Sequence, residues 1–191
     1  VAVFHKDRFD YYSNFARIGD ASMGGKGRGL AFLDLISKRN EEFFDYETTQ
    51  IVIPKTVVIC TDKFDEFMEQ NNLYDIAYSE NLSDEEILSH FLEAKIPDDV
   101  WADLRAFVNV IDTPIAVRSS SLLEDAHYQP FAGVYSTYMV PNNKDDVKST
   151  LMKLGEAIKA VYASVYYSGS RSYMTATKNV ISREKMAVVL Q

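Results

Sequence analysis

The sequence predicts a mixed α/β fold of the α+β kind, with strands and helices in irregular order around one apolar core. Three observations carry this prediction. β-Branched runs at 50–60 ("QIVIPKTVVIC"), 115–118 ("IAVR") and 186–191 ("MAVVLQ") have the composition of strands. Apolar residues stepping by three or four between Asp145 and Tyr167 have the period of a helix. Ser83 followed by Glu86 is a capping-box pattern that announces another helix. With 191 residues, 47% of them apolar, the chain can close a sizeable core as one domain over 1–191, a subdivision being allowed near 111–115.

The first 20 residues are aromatic and mixed in charge, with no clear period. "RIGDASMGGKGRG" then reads as a glycine-rich turn feeding the helix "GLAFLDLISKR". In that helix Leu30, Leu33 and Ile36 share one face, and Lys38 and Arg39 suit the negative end of the dipole. Pro54 breaks the 50–60 strand or sets it at an edge. Thr61 or Asp62 is expected to cap the helix that follows, with Phe64, Phe67 and Met68 inward. The helix after Ser83 turns Ile87, Leu88, Phe91 and Leu92 to the core, and Pro97 opens another with Val100, Trp101, Leu104, Phe107 and Val108 in a stripe. The strand 115–118 ends on Arg118, the hydroxyls of Ser119, Ser120 and Ser121 are expected in turns, and "GVYSTYMVPNN" alternates like a partner strand. Val147, Leu151, Leu154, Ile158, Val161 and Val165 give the strongest helix, which "SGS" near 168–170 stops or interrupts. "MAVVLQ" reads as an interior strand. The chain starts without Met and stops inside that strand, so a fragment of a longer protein is expected.

Twenty-eight acidic residues against 20 basic ones, a formal charge of -8, argue against a general nucleic-acid binder or an anionic-membrane binder. Any phosphate must be bound locally. No apolar run approaches the roughly 20 residues of a membrane span, and the first residues lack the charged and apolar regions of a signal peptide, so passage across a membrane is not expected. The single cysteine, Cys60, rules out an internal disulfide, fits a reducing cytoplasm, and reads as a buried structural thiol. His5, His90 and His127 stand apart without metal-ligand spacing, so no metal site is expected from them.

Three stretches carry candidate chemistry. In "GGKGRG" (24–29), amides of Gly24, Gly25 and Gly27 at a helix start, with Lys26 among them, could hold an anion. The spacing is neither a Walker A motif nor G-x-G-x-x-G, and a flexible turn with a solvated lysine reads equally well. In "AVRSSS", the Arg118 guanidinium suits a phosphate or carboxylate held bidentately, or a structural ion pair. Glu124 and Asp125 could hold a cation or amine, cap a helix, or pair with Arg118. Further on, Gly133 in "FAGVYST" could let a backbone amide approach a ligand, with Thr137 four residues later. His127 and Tyr128 could line a pocket mouth or simply pack in a loop.

Taken in order, "GGKGRGLAFLDLI", "IPKTVVICTDKFDEFM", "IAVRSSSLLEDAHYQPFAGVYSTYMV" and "MAVVLQ" resemble the nucleotide-binding domain of the pyruvate phosphate dikinase and phosphoenolpyruvate synthase family, over about residues 18–191. The resemblance implies the N-terminal part of an ATP-grasp domain, truncated at its C-terminal end. It implies an ATP-dependent phosphotransferase with paired acceptors, which phosphorylates a histidine on another domain on the way to pyruvate, phosphoenolpyruvate or a related acceptor. Carried over by position, Lys26 and Arg118 contact ATP phosphates. Gly24, Gly25, Gly27 and Ser119 lie with them, the amides of Phe131, Ala132 and Gly133 cover the phosphates, Thr137 offers a hydroxyl, and Gln191 lies near the adenine hinge. ATP and Mg2+ are the implied cofactors, with the metal ligands beyond the end of this chain. The phosphohistidine and pyruvate-binding domains would belong to the same parent, and the fragment alone would be inactive. Two departures stand out. Arg28 and Gly29 follow where the family reads "GGKGAN", and "LLEDAHYQP" replaces the common "ATAEDLP", which leaves the acceptor open. The competing reading is a nucleotide-sensing or interaction module that keeps the fold without the chemistry.

Overall fold

The computed structural model describes residues 1–5, 14–40, 42, 45–121, 133–177 and 180–191. Its centre is a six-stranded mixed sheet of order β1-β2-β5-β8-β6-β7. These strands are β1 (Ala2–Val3), β2 (Phe15–Ile18), β5 (Thr56–Ile59), β6 (Ile115–Ser121), β7 (Thr137–Val140) and β8 (Met186–Leu190). β1, β2 and β5 run parallel, β8 runs antiparallel to both β5 and β6, and β6 pairs antiparallel with β7. A two-residue ribbon of β3 (Asp45–Tyr46) and β4 (Thr49–Gln50) stands apart. Strands from both sides of 111–115 thus share one sheet.

β8 lies between two neighbours and all five of its residues are buried, as an unbroken apolar run demands when both faces of a strand are covered. Strand alternation sorts the two faces. On one, Val57, Ile59, Ile115, Val117, Met186, Val188 and Leu190 join the main core. That core is closed by α2 (Thr61–Gln70), α4 (Asp84–Glu93), α5 (Asp98–Val110) and α6 (Val147–Ser164), with α3 (Tyr74–Ala77) and α7 (Ser168–Ala176) at its edge. Its centre is aromatic: Tyr162 meets Phe64 edge-on at 5.0 Å and Phe67 at 5.3 Å, while Phe91 bridges Phe67 and Tyr166. On the other face, Phe15, Val58, Ala187 and Val189 receive Met23, Leu30 and Ala31 from a single helix, α1 (Gly24–Arg39), and the segment before it.

The helices form for the reasons the sequence suggested, with local differences. Ser83 accepts from the Glu86 amide at 3.2 Å and Glu86 accepts from the Ser83 amide at 2.8 Å, a complete capping box. Phe64, Phe67 and Met68 of α2 are buried, as are Val100, Leu104, Phe107 and Val108 of α5, with Trp101 half-buried beside them. "SGS" does more than stop α6: Ser168 begins α7, because Asp84 of α4 accepts from its amide at 2.7 Å and its hydroxyl at 2.9 Å. α2 carries no side-chain cap from Thr61 or Asp62. Leu33 does not share a buried face with Leu30; it is 48% exposed, since α1 touches the sheet along a narrow line. β6 runs on past Arg118, which lies inside the strand and not at its end. Among the described residues no helix is long and apolar enough to cross a membrane.

Candidate functional site

The loop from Gly19 to Met23 delivers the chain from β2 into α1, and its shape is set by α2. Asp62 accepts from the amides of Asp20 at 3.0 Å and Ala21 at 3.1 Å, and Thr61 Oγ1 accepts from the amide of Ser22 at 3.2 Å. The side chains expected to cap their own helix are therefore engaged by this loop. Ser22 Oγ in turn accepts from the Gly24 amide at 3.1 Å. The glycines thus form the first turn of α1 itself, and Gly24, Gly25 and Gly27 are all buried.

This helix start is electrostatically unusual. α4 opens with Asp84, Glu85 and Glu86 and α5 with Asp98 and Asp99, which suits the positive end of a helix dipole. α1 has no acidic residue in its first turn, which carries Lys26, and Arg28 follows directly after it. Cations here add to the positive end of the dipole, a setting that favours an anion. The Gly25 amide has no hydrogen-bond partner among the described residues, a donor open to such an anion.

The serines of β6 lock this turn in place. The fully buried Ser120 hydroxyl donates to Met23 O at 2.7 Å and accepts from the Gly27 amide at 2.9 Å. Lys26 Nζ donates to Ser119 Oγ at 3.4 Å. Gly24 has φ +67°, and a Cβ there would stand 1.7 Å from Ser120 O, so only glycine admits this approach of backbone to backbone. Ser119, Ser120 and Ser121 pair with Val188, Ala187 and Met186, which makes them strand residues and not the turn residues expected. Hydroxyls tolerate burial there because the helix start supplies partners, as it does for Ser120. The glycine turn and "RSSS", some 90 positions apart, become one structure.

Arg118 projects from the middle of β6. Its Nη1 donates to Gln191 Oε1 at 3.0 Å, and among the described residues it makes no ion pair. Thr137 of β7 sits directly opposite it in the ladder, exposed, and Val189 flanks it on the other side. Gly133 is exposed with φ +77° and open space where a Cβ would be. Phe131, Ala132, Glu124, Asp125, His127 and Tyr128 lie outside the described residues. Cys60 is fully buried and burial, with Asp62 nearby, pushes its thiol up to about 11, so it stays protonated and inert at neutral pH. The contributors whose part in the site sequence reasoning missed are Ser120, Asp62 and Thr56, whose hydroxyl accepts from Gln191 Nε2 at 3.2 Å. Each is a small polar residue whose role exists only through a partner distant in sequence.

Residues 20–191 match the family described as pyruvate phosphate dikinase, AMP/ATP-binding domain. The chain is also 28% identical over 141 residues to an uncharacterized phosphotransferase, YvkC, of Bacillus subtilis (strain 168). That match covers 73% of this chain and 15% of the relative's length.

Proposed function

Since the chain belongs to the pyruvate phosphate dikinase AMP/ATP-binding domain family, we propose that it is the nucleotide-binding part of an ATP-dependent phosphotransferase with an ATP-grasp fold. The observation that carries this reading is the Ser120 clamp. It joins the helix start that carries Lys26 to the strand that bears Arg118 and so brings two cations from distant segments to one place. Lys26, Arg118 and the amide of Gly25 hold the phosphates, Gly24 and Gly27 shape the turn because their amides already serve Ser22 and Ser120, and Ser119 and Thr137 offer hydroxyls. The loop at Gly133 is the proposed cover for the phosphates, and Gln191 completes the site beside the nucleotide.

Phosphoryl transfer asks chiefly for positioning and for cations where negative charge shifts toward the leaving phosphate. Lys26 and Arg118 are the residues to do both. The proposed acceptor is a histidine on another domain of the parent protein, which passes the phosphoryl group to pyruvate or a related acceptor. Mg2+ belongs to this reading as the companion of ATP. Among the described residues no three of His, Cys, Asp and Glu cluster closely enough to hold a metal, so no step is assigned to it through this chain.

The test is ATP consumption by the full-length protein carrying Lys26→Ala or Arg118→Ala. A loss of about a hundredfold or more in kcat/KM is expected for each, the scale seen when one charge-stabilising donor is removed. Unchanged turnover in both variants overturns the assignment.

A further inference from the structure

Arg118 is held by a hydrogen-bond chain that runs in one direction. Thr56 Oγ1 donates its only proton to Pro54 O at 2.8 Å, so it can meet a further partner only as an acceptor. Gln191 Nε2 donates to it at 3.2 Å. The amide's orientation follows: its oxygen must face the other way, and there Oε1 accepts from Arg118 Nη1 at 3.0 Å. The backbone of Gln191 is itself fixed, since Ala116 donates to its carbonyl at 2.7 Å and accepts from its amide at 3.0 Å. Three strands, β5, β8 and β6, are thereby spanned by one relay ending on the guanidinium.

The chemistry of the last link matters. A carboxylate at this place would take two guanidinium N–H groups and cancel the charge. A carboxamide oxygen takes one and leaves the charge intact. Together with the lack of any ion pair to Arg118 among the described residues, this keeps a fully charged fork oriented by one donor. We propose that Gln191 and Thr56 are positioning residues that aim Arg118 at a nucleotide phosphate without neutralising it. The proposal rests on the reading of Arg118 as a phosphate contact.

Binding of ATP and of adenosine to the full-length protein distinguishes this role from a merely structural one and from contact with the base. Gln191→Glu should weaken ATP about tenfold or more and adenosine by much less, because the cancelled charge is the one directed at phosphate. The loss should shrink as pH falls through the carboxyl range, where the new side chain becomes neutral. Thr56→Val should weaken ATP by about threefold and Thr56→Ser should restore it, since serine keeps the relay. If Gln191→Glu does not fold, the Thr56 pair decides. Equal losses for ATP and adenosine, unchanged ATP binding in Gln191→Glu, or failure of serine to restore it would overturn the proposal. A wild-type protein that binds no ATP would instead overturn the proposed function.

Discussion

At the scale of single residues, the two glycines at 24 and 29 are alike in sequence and opposite in consequence. Gly24→Ala places a methyl group against a backbone carbonyl at positive φ, so neither a rotamer change nor a side-chain shift relieves it. It should cost on the order of 4 kcal/mol or more and abolish nucleotide binding, measured by urea denaturation and ATP titration. Gly29→Ala meets nothing within 4 Å on an exposed helix face, and should stabilise by up to about 1 kcal/mol through helix propensity alone. Cys60 supplies a second prediction at this scale. The native thiol keeps its proton to about 11, whereas an unfolded one loses it near its ordinary value of 9.0. Between those values the unfolded chain binds fewer protons, so stability falls as pH rises. Cys60→Ala should remove the early part of that fall in denaturation midpoints followed from neutral to alkaline pH. Burial raises Tyr74 and Tyr167 to about 12 and Tyr162 and Tyr166 further, so the decline continues at higher pH in either protein.

At the scale of elements, legibility followed the range of the interaction. The capping box of α4 is local, within four residues, and was plain in the sequence. Ser83→Ala should lower stability by about 1 kcal/mol, seen as a shift in the thermal midpoint. The stripe of α5 and the period of α6 were equally plain because burial on one side imposes a 3.6-residue repeat. The spacing in α1 sets Leu30, Leu33 and Ile36 on one face, yet Leu33 and its neighbour Phe32 point outward, 48% and 62% exposed. A helix resting on a sheet along its glycine-rich first turn needs fewer apolar contacts than its sequence offers. β2 escaped notice because "FARI" carries an arginine, whose guanidinium turns back to the Gly19 carbonyl and to Asp20 at 2.8 Å. β6 extends three residues beyond the Arg118 end that the sequence predicts, for a related reason: three serines do not look like an interior strand until partners for their hydroxyls are known.

At the scale of the whole molecule, the candidate site is assembled from segments spread over most of the chain: the start of α1, the middle of β6, Thr56 at the start of β5, and Gln191 after β8. The sequence by itself determined the mixed α/β class, the interior placement of β8, most helices, and Lys26 and Arg118 as the cations to watch. These depend on period, composition and ordered motifs, which are carried by neighbours in the chain. Only the tertiary structure decided that Ser120 grips α1, that Asp62 serves a loop 40 positions upstream and not its own helix, and that Gln191 turns its oxygen to Arg118. A hydroxyl, carboxylate or amide can bond to almost any polar group, so its partner is chosen by whichever backbone the fold brings within about 3 Å. Apolar residues announce only that they will be buried, which a pattern can reveal. Polar ones are defined by what they meet, and that is known only once the sheet has closed.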